Sequence, residues 1–154
     1  MKQRIYIDTS VVGGFFDDEF KETTIKLFER LEKQELIFVV SDLLDLELIE
    51  APKYVKELLL RYPASYFERI SLTEEALKLA DTYITEKVVG HASLTDCRHI
   101  SLATINKVDV LASWNFKHIV NLDKIKGYNS INLRLGYSIL EIRSPKELIK
   151  YENE

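Results

Sequence analysis

The chain has 154 residues, 46% of them hydrophobic and 30% charged, the balance of one ordinary globular domain with its own core. Five Gly and three Pro exclude a collagen-like or linker-like chain, and the single Cys97 excludes an intramolecular disulfide and a multi-Cys zinc module. The net charge of −4 argues against a general polyanion binder, but residues 1–106 hold 13 Lys/Arg against 19 Asp/Glu while residues 107–143 hold six against three, which permits a polyanionic partner and no more.

Arg4–Ile7 is short, β-branched and aromatic, as a buried strand is. Its three apolar residues Ile5, Tyr6 and Ile7 ahead of Asp8 are far short of a signal-peptide core. No apolar run approaches the ~18 residues of a membrane span, and the expected location is cytoplasmic. Thr23–Glu35 carries Ile25, Phe28 and Leu31 at helical spacing. Leu36–Val40 is apolar throughout, the pattern of a central parallel strand covered on both faces. Ser41–Glu50 reads as a helix closed by Ala51-Pro52, with a second piece reaching Tyr62-Pro63. Phe67–Ile70 reads as a strand. Glu74–Val88 is a helix behind the N-cap Thr73, with Ala76, Ala80, Ile84 and Val88 four apart. Leu94–Ile105 is the next helix and Val108–Ala112 the strand after it. Ser144-Pro145-Lys146-Glu147 combines an N-cap, a first-turn Pro and a capping-box Glu, so a last helix is expected there. The alternation predicts one α/β domain over residues 1–154, a central parallel sheet flanked by helices.

Ligands of open α/β sheets gather outside the carboxyl ends of the strands. Asp8 ends the first strand, Glu47 lies two turns into the helix after the second, Asp96 is in the first turn of the helix opened by Ser93, and Asn115 follows the strand ending near Ser113. Three acids meeting without a neighbouring Lys or Arg repel, each pKa rises, and Mg²⁺ or Mn²⁺ relieves the repulsion. Each residue also has a structural reading: Asp8 starts a turn, Ser93-x-x-Asp96 is a capping box, and Glu47 is one solvated charge among Asp42, Asp45 and Glu50. Cys97 and His99, spaced i and i+2, make a poor zinc pair, and His91, His99 and His118 form no metal-spaced cluster. Trp114 and the Tyr residues fit core or interface. No Gly-x-Ser-x-Gly elbow and no phosphate-binding Gly-Lys-Ser/Thr loop is present. An aspartyl-phosphate enzyme would want an acid where Ser10 stands.

Four blocks in order resemble PIN-domain proteins: Arg4-Ile-Tyr-Ile-Asp8-Thr-Ser-Val, Val39-Val-Ser-Asp-Leu-Leu-Asp-Leu-Glu47, Ser93-Leu-Thr-Asp96-Cys-Arg-His-Ile-Ser-Leu-Ala-Thr and Val108-Asp-Val-Leu-Ala-Ser-Trp-Asn115-Phe. The resemblance implies a three-layer α/β/α fold and a metal-dependent ribonuclease. It also implies the toxin half of a toxin–antitoxin pair, with RNA and an antitoxin protein as partners and a homodimeric assembly. Carried over, Asp8, Glu47 and Asp96 become Mg²⁺ or Mn²⁺ ligands, and Asn115 takes the fourth acid position in the catalytic set, where it offers a carbonyl oxygen or a hydrogen bond to a metal-bound water. The implied reaction is in-line hydrolysis of a phosphodiester. Thr9, Ser10 and Ser113 would orient water or phosphate, and Lys117, His118 and Lys124 would track the RNA backbone. The rival expectation is a PIN-like interaction or RNA-binding module that lost efficient catalysis when its fourth acid became Asn115.

Overall fold

The computed structural model describes residues 1–149. Five parallel strands, β1 (Gln3–Ile7), β2 (Leu36–Ser41), β3 (Phe67–Ile70), β4 (Val110–Ala112) and β5 (Ile142–Arg143), form one sheet in the order β3-β2-β1-β4-β5. The helices are α1 (Thr9–Gly14), α2 (Lys21–Glu32), α3 (Asp42–Leu48), α4 (Lys53–Lys56), α5 (Glu74–Thr85), α6 (Leu94–Ile105) and α7 (Leu122–Arg134), with 3₁₀ turns between several of them. Alternation along the strands divides the interior into two cores. Ile5, Ile7, Phe38 and Val40 pack with Val11, Leu27, Phe28 and Leu31 on one face. Tyr6, Val39 and Leu111 pack with Leu79, Tyr83, Ile100 and Tyr128 on the other. The result is the expected α/β/α sandwich. Among the described residues no helix is long and apolar enough to cross a membrane.

The caps at Ser41 and Thr73 form as expected, each side-chain oxygen accepting an N–H at 3.2 Å, from Leu44 and Ala76. Two helices stop three residues sooner than the apolar spacing suggests. After α2 and α5 the chain turns left-handed at Gln34 and Lys87, and the backbone closes there with Glu35 N–H to Arg30 C=O and Val88 N–H to Tyr83 C=O. These are helix-ending turns built without the glycine that usually signals them. The expected last helix is a correction: Pro145–Glu147 is a single 3₁₀ turn and the Ser144 side chain caps nothing. Leu148 is buried and its carbonyl accepts from Arg30 Nη1 at 2.6 Å, which draws the chain off the helical path. Residues 150–154 lie outside the described residues.

Sequence reasoning did not find α1, α7 or β5. The α1 segment carries two glycines, and one of them is required: a Cβ on Gly14 would stand 2.7 Å from Trp114 Nε1 and 2.9 Å from Thr24 Oγ1. Both atoms are held, since the indole N–H donates to Thr24 Oγ1 at 3.0 Å. A Cβ on Gly13 would meet nothing within 4 Å. Gly14→Ala is therefore expected to destabilise the fold by about 1–3 kcal/mol through overpacking, whereas Gly13→Ala stays within about 1 kcal/mol of wild type, on the stabilising side. Denaturant unfolding of the two variants checks the contrast, and equal losses would exclude the close approach as its cause.

Candidate active site

The strand order reverses direction between β1 and β4, the first linked onward to β2 and the second to β5. The register pairs Ile7 with Ala112, so Asp8 and Ser113 leave adjacent strands side by side, at the switch point where open α/β sheets bind ligands. Asp8 is 4% exposed. Its Oδ1 accepts from Ser10 Oγ at 2.6 Å and from Val11 N–H at 3.3 Å, and its Oδ2 accepts from Ser113 Oγ at 2.6 Å. Asp8 thus caps α1 as a turn-forming Asp does, and two hydroxyls clamp it as well. Ser10 Oγ also takes the Trp114 N–H at 2.9 Å, and Ser113 Oγ takes the Asn115 N–H at 3.0 Å. Of the three hydroxyls expected to handle water or phosphate, those of Ser10 and Ser113 are thus committed to Asp8.

Asp96 is half-buried on α6. The capping box expected of Ser93 and Asp96 does not form, since the Ser93 side chain makes no cap bond. Instead Asp96 Oδ2 accepts from Asn115 Nδ2 at 3.3 Å. The orientation of that amide is fixed on its other side, where Asn115 Oδ1 accepts the N–H groups of Lys117 and His118 at 3.1 and 3.0 Å. Asn115 is a turn former and a neighbour of Asp96 at once. Its carbonyl oxygen, expected to face an ion, is occupied by the turn.

Glu47 is tied elsewhere. Thr9 Oγ1 donates to Glu47 Oε1 at 2.7 Å, and His99 Nε2 bonds the same oxygen. His99 is 2% exposed. Its Nδ1 lies 2.6 Å from the Tyr6 hydroxyl, which is 2.9 Å from Ser41 Oγ. A consistent donor order runs Ser41 to Tyr6 to His99 to Glu47. Sequence reasoning missed this chain. Two signals for it exist: His99 falls three residues after Asp96, on the same helix face, and Tyr6 brings a hydroxyl into a buried strand, where it needs a partner. Of the expected RNA-contacting residues, Lys117 is exposed. His118 is half-buried with an unpartnered Nδ1, and its carbonyl accepts from Tyr128 at 2.7 Å. Lys124 is withdrawn as a backbone contact, because its Nζ donates to the Val88 carbonyl at 2.9 Å.

The acids respond differently to this setting. Burial pushes Asp8 above the usual carboxylate range, and His99 and its three hydrogen bonds do not offset it. Burial and then the charge of Asp8 push Asp96 up, against His99 and His118. Burial also acts on Glu47, but His99 and Thr9 outweigh it and hold that carboxyl low. Among the described residues no three His, Cys, Asp or Glu side chains stand close enough together to hold one ion, since Glu47 is turned to His99 and Thr9. Asp8 and Asp96 still fit a hard divalent cation, being two carboxylates that raise each other's cost of ionisation. A carboxyl raised in the folded state favours folding while protonated, and that contribution is lost as pH rises through its folded pKa. In EDTA, Asp96→Asn should therefore gain stability over wild type as pH rises from 4 to 8. Paired thermal melts read the difference, and a constant offset would place Asp96 outside this repulsion.

No family model matches the sequence, and no curated protein matches it. Solved structures do. VapBC2 from Rickettsia felis, bound to a DNA fragment from its promoter, aligns over 92% of this chain and 98% of its own at TM-score 0.57 and 15% identity. DNA-bound VapBC from Salmonella typhimurium aligns over 94% and 99% at TM-score 0.57 and 15% identity. Mycobacterium tuberculosis VapC20, a Sarcin-Ricin loop cleaving toxin, aligns over 73% and 91% at TM-score 0.56 and 11% identity. Together with the five-stranded parallel sheet and its two helical layers, these likenesses give the chain the PIN-domain fold.

Proposed function

We propose that the protein, read as one PIN-like domain over residues 1–154, is a divalent-metal-dependent endoribonuclease acting as the toxin of a toxin–antitoxin pair. The observation that carries this reading is the pair Asp8 and Asp96 at the switch point, both pushed up by burial. The toxin–antitoxin complexes and the Sarcin-Ricin loop cleaving toxin among its structural neighbours support RNA as substrate and an antitoxin protein as partner. A homodimer in the cytoplasm completes the reading.

Asp8 and Asp96 would hold Mg²⁺ or Mn²⁺, with Glu47 beside them. When bound, the ion supplies positive charge for a nonbridging phosphate oxygen and acidity for a water. Ser10 and Ser113 fix the Asp8 carboxylate, so it meets its ligand without reorganising. His99 and Thr9 keep Glu47 ionised, as an acceptor for the proton of an attacking water. Lys117 is free of side-chain hydrogen bonds among the described residues and suits a backbone phosphate.

A PIN-like RNA-binding or interaction module with little catalysis is the second reading. It is favoured by the neutral Asn115 and by the tie between Glu47 and His99. Labelled RNA incubated with Mn²⁺ and then with EDTA separates the two. The nuclease reading expects EDTA-sensitive cleavage that Asp8→Asn abolishes, and cleavage indifferent to Asp8→Asn would sink it.

Asn115→Asp keeps the turn, because an Asp oxygen still accepts both N–H groups, but it sets a second oxygen against Asp96 Oδ2. Without metal the change should destabilise the fold. In Mn²⁺ it should bind the ion about tenfold tighter, about 1.4 kcal/mol, so the stability change reverses sign. Calorimetric titration with paired melts tests this, and unchanged Mn²⁺ affinity would remove Asn115 from the site.

A further inference from the structure

Between α1 and the segments at Asp17–Phe20 and Trp114–Asn115 lies an open cavity of about 330 Å³. It begins where the carboxylate cluster ends. Ser10, bonded to Asp8, and Asn115, bonded to Asp96, both line it. Phe20 and Trp114 form its aromatic wall, stacked with centroids 4.3 Å apart and planes 18° from parallel. Phe116, 47% exposed, stands 6.1 Å from Trp114 and 6.5 Å from Phe20. Trp114 is pinned through its indole and its backbone N–H, so the wall is rigid. Gly13 also lines it, with nothing within 4 Å of where its Cβ would be. The missing side chain there leaves open space, in contrast to Gly14.

We infer that this cavity is a nucleobase subsite, taking an unpaired base of single-stranded RNA whose adjoining phosphodiester lies at Asp8 and Asp96. The inference rests on the nuclease reading of those two carboxylates and adds the part of the substrate that is recognised. No Lys or Arg lines the cavity, so a phosphate finds no partner there. A flat neutral heterocycle finds the half-buried Phe20 ring, backed by the buried Trp114, together with the backbone at Gly13 and the Asp17 carboxylate as acceptor for its N–H groups. Stacking on rings tolerates any base and requires it to be unpaired. The subsite therefore selects single strands over duplex and sets the register of the neighbouring phosphate. Lys117, exposed directly after Phe116, supplies the cation for the backbone leaving the cavity.

Trp114 is the sole tryptophan, so its emission reports occupancy directly. With wild-type protein in EDTA, an RNA tetranucleotide should change that emission and bind about tenfold more tightly than an abasic tetranucleotide of equal charge. Phe116→Ala and Gly13→Leu alter an exposed ring and an open position, so both should melt close to wild type yet bind the tetranucleotide about tenfold more weakly. Equal affinity for the base-bearing and abasic tetranucleotides, or wild-type affinity in both variants, overturns the subsite. Mn²⁺-dependent cleavage is scored separately: cleavage alongside base-indifferent binding removes the subsite and leaves the nuclease reading standing. Base-dependent binding by a protein that cleaves nothing removes the nuclease reading and retains the subsite.

Discussion

The site depends on one buried charge. Asp8 sits at the carboxyl end of the central strand, 4% exposed, without an ion pair among the described residues. Its hydrogen bonds come from Ser10, Ser113 and the Val11 N–H. Those donors come from α1 and from the residue that leaves β4, so the same bonds that satisfy the carboxylate hold the first helix and the end of the neighbouring strand together across the switch point. Hydrogen bonds to a buried charge are worth more than neutral ones, and leaving the charge unsatisfied would be costlier still. Ser10 and Ser113 pass the constraint on by accepting the N–H groups of Trp114 and Asn115. The turn that carries Asn115 and the aromatic wall is thereby anchored to Asp8.

Around this point the protein treats three carboxylates in two ways. Asp8 and Asp96 are left with their repulsion, while Glu47 is held ionised by its bonds to a buried histidine and to Thr9. The His99 ring is aimed by Tyr6, whose hydroxyl is in turn aimed by Ser41 at the helix cap of α3. The cap, the buried phenol and the imidazole form one line through the second core and end at the site. Such chains are stable when every member is satisfied. The electrostatic tension is confined to the pair that a cation would relieve, and the third acid is held ready beside it.

How much of this was legible in the sequence differs from element to element. Strands β1 and β2 were, because β-branched and aromatic runs covered on both faces have few alternatives, and so were the caps at Ser41 and Thr73. The positions of Asp8, Glu47 and Asp96 in the fold followed from strand order. Helix α7 was not, because Gly127, Asn129 and Asn132 interrupt its apolar face. Asn132 is fully buried nonetheless, its amide oxygen taking the Tyr83 hydroxyl at 2.5 Å and its nitrogen bonding Thr104 and Asn129. Polar residues read as surface until their partners, from other helices, are known.

The sequence by itself determined the alternation of strands and helices, and hence the parallel sheet and the rim to which its acids belong. Local pattern suffices there because periodicity and capping act within a few residues. Only the tertiary structure decided what each acid does. The bonds that matter run from Asp8 to Ser113, from Asp96 to Asn115 and from Glu47 to His99, across separations of 105, 19 and 52 residues. The role of Gly14 was decided in the same way, by an indole 100 positions away along the chain. Hydrogen-bond partners and close approaches at such separations depend on register and packing, and no spacing rule along one segment encodes them.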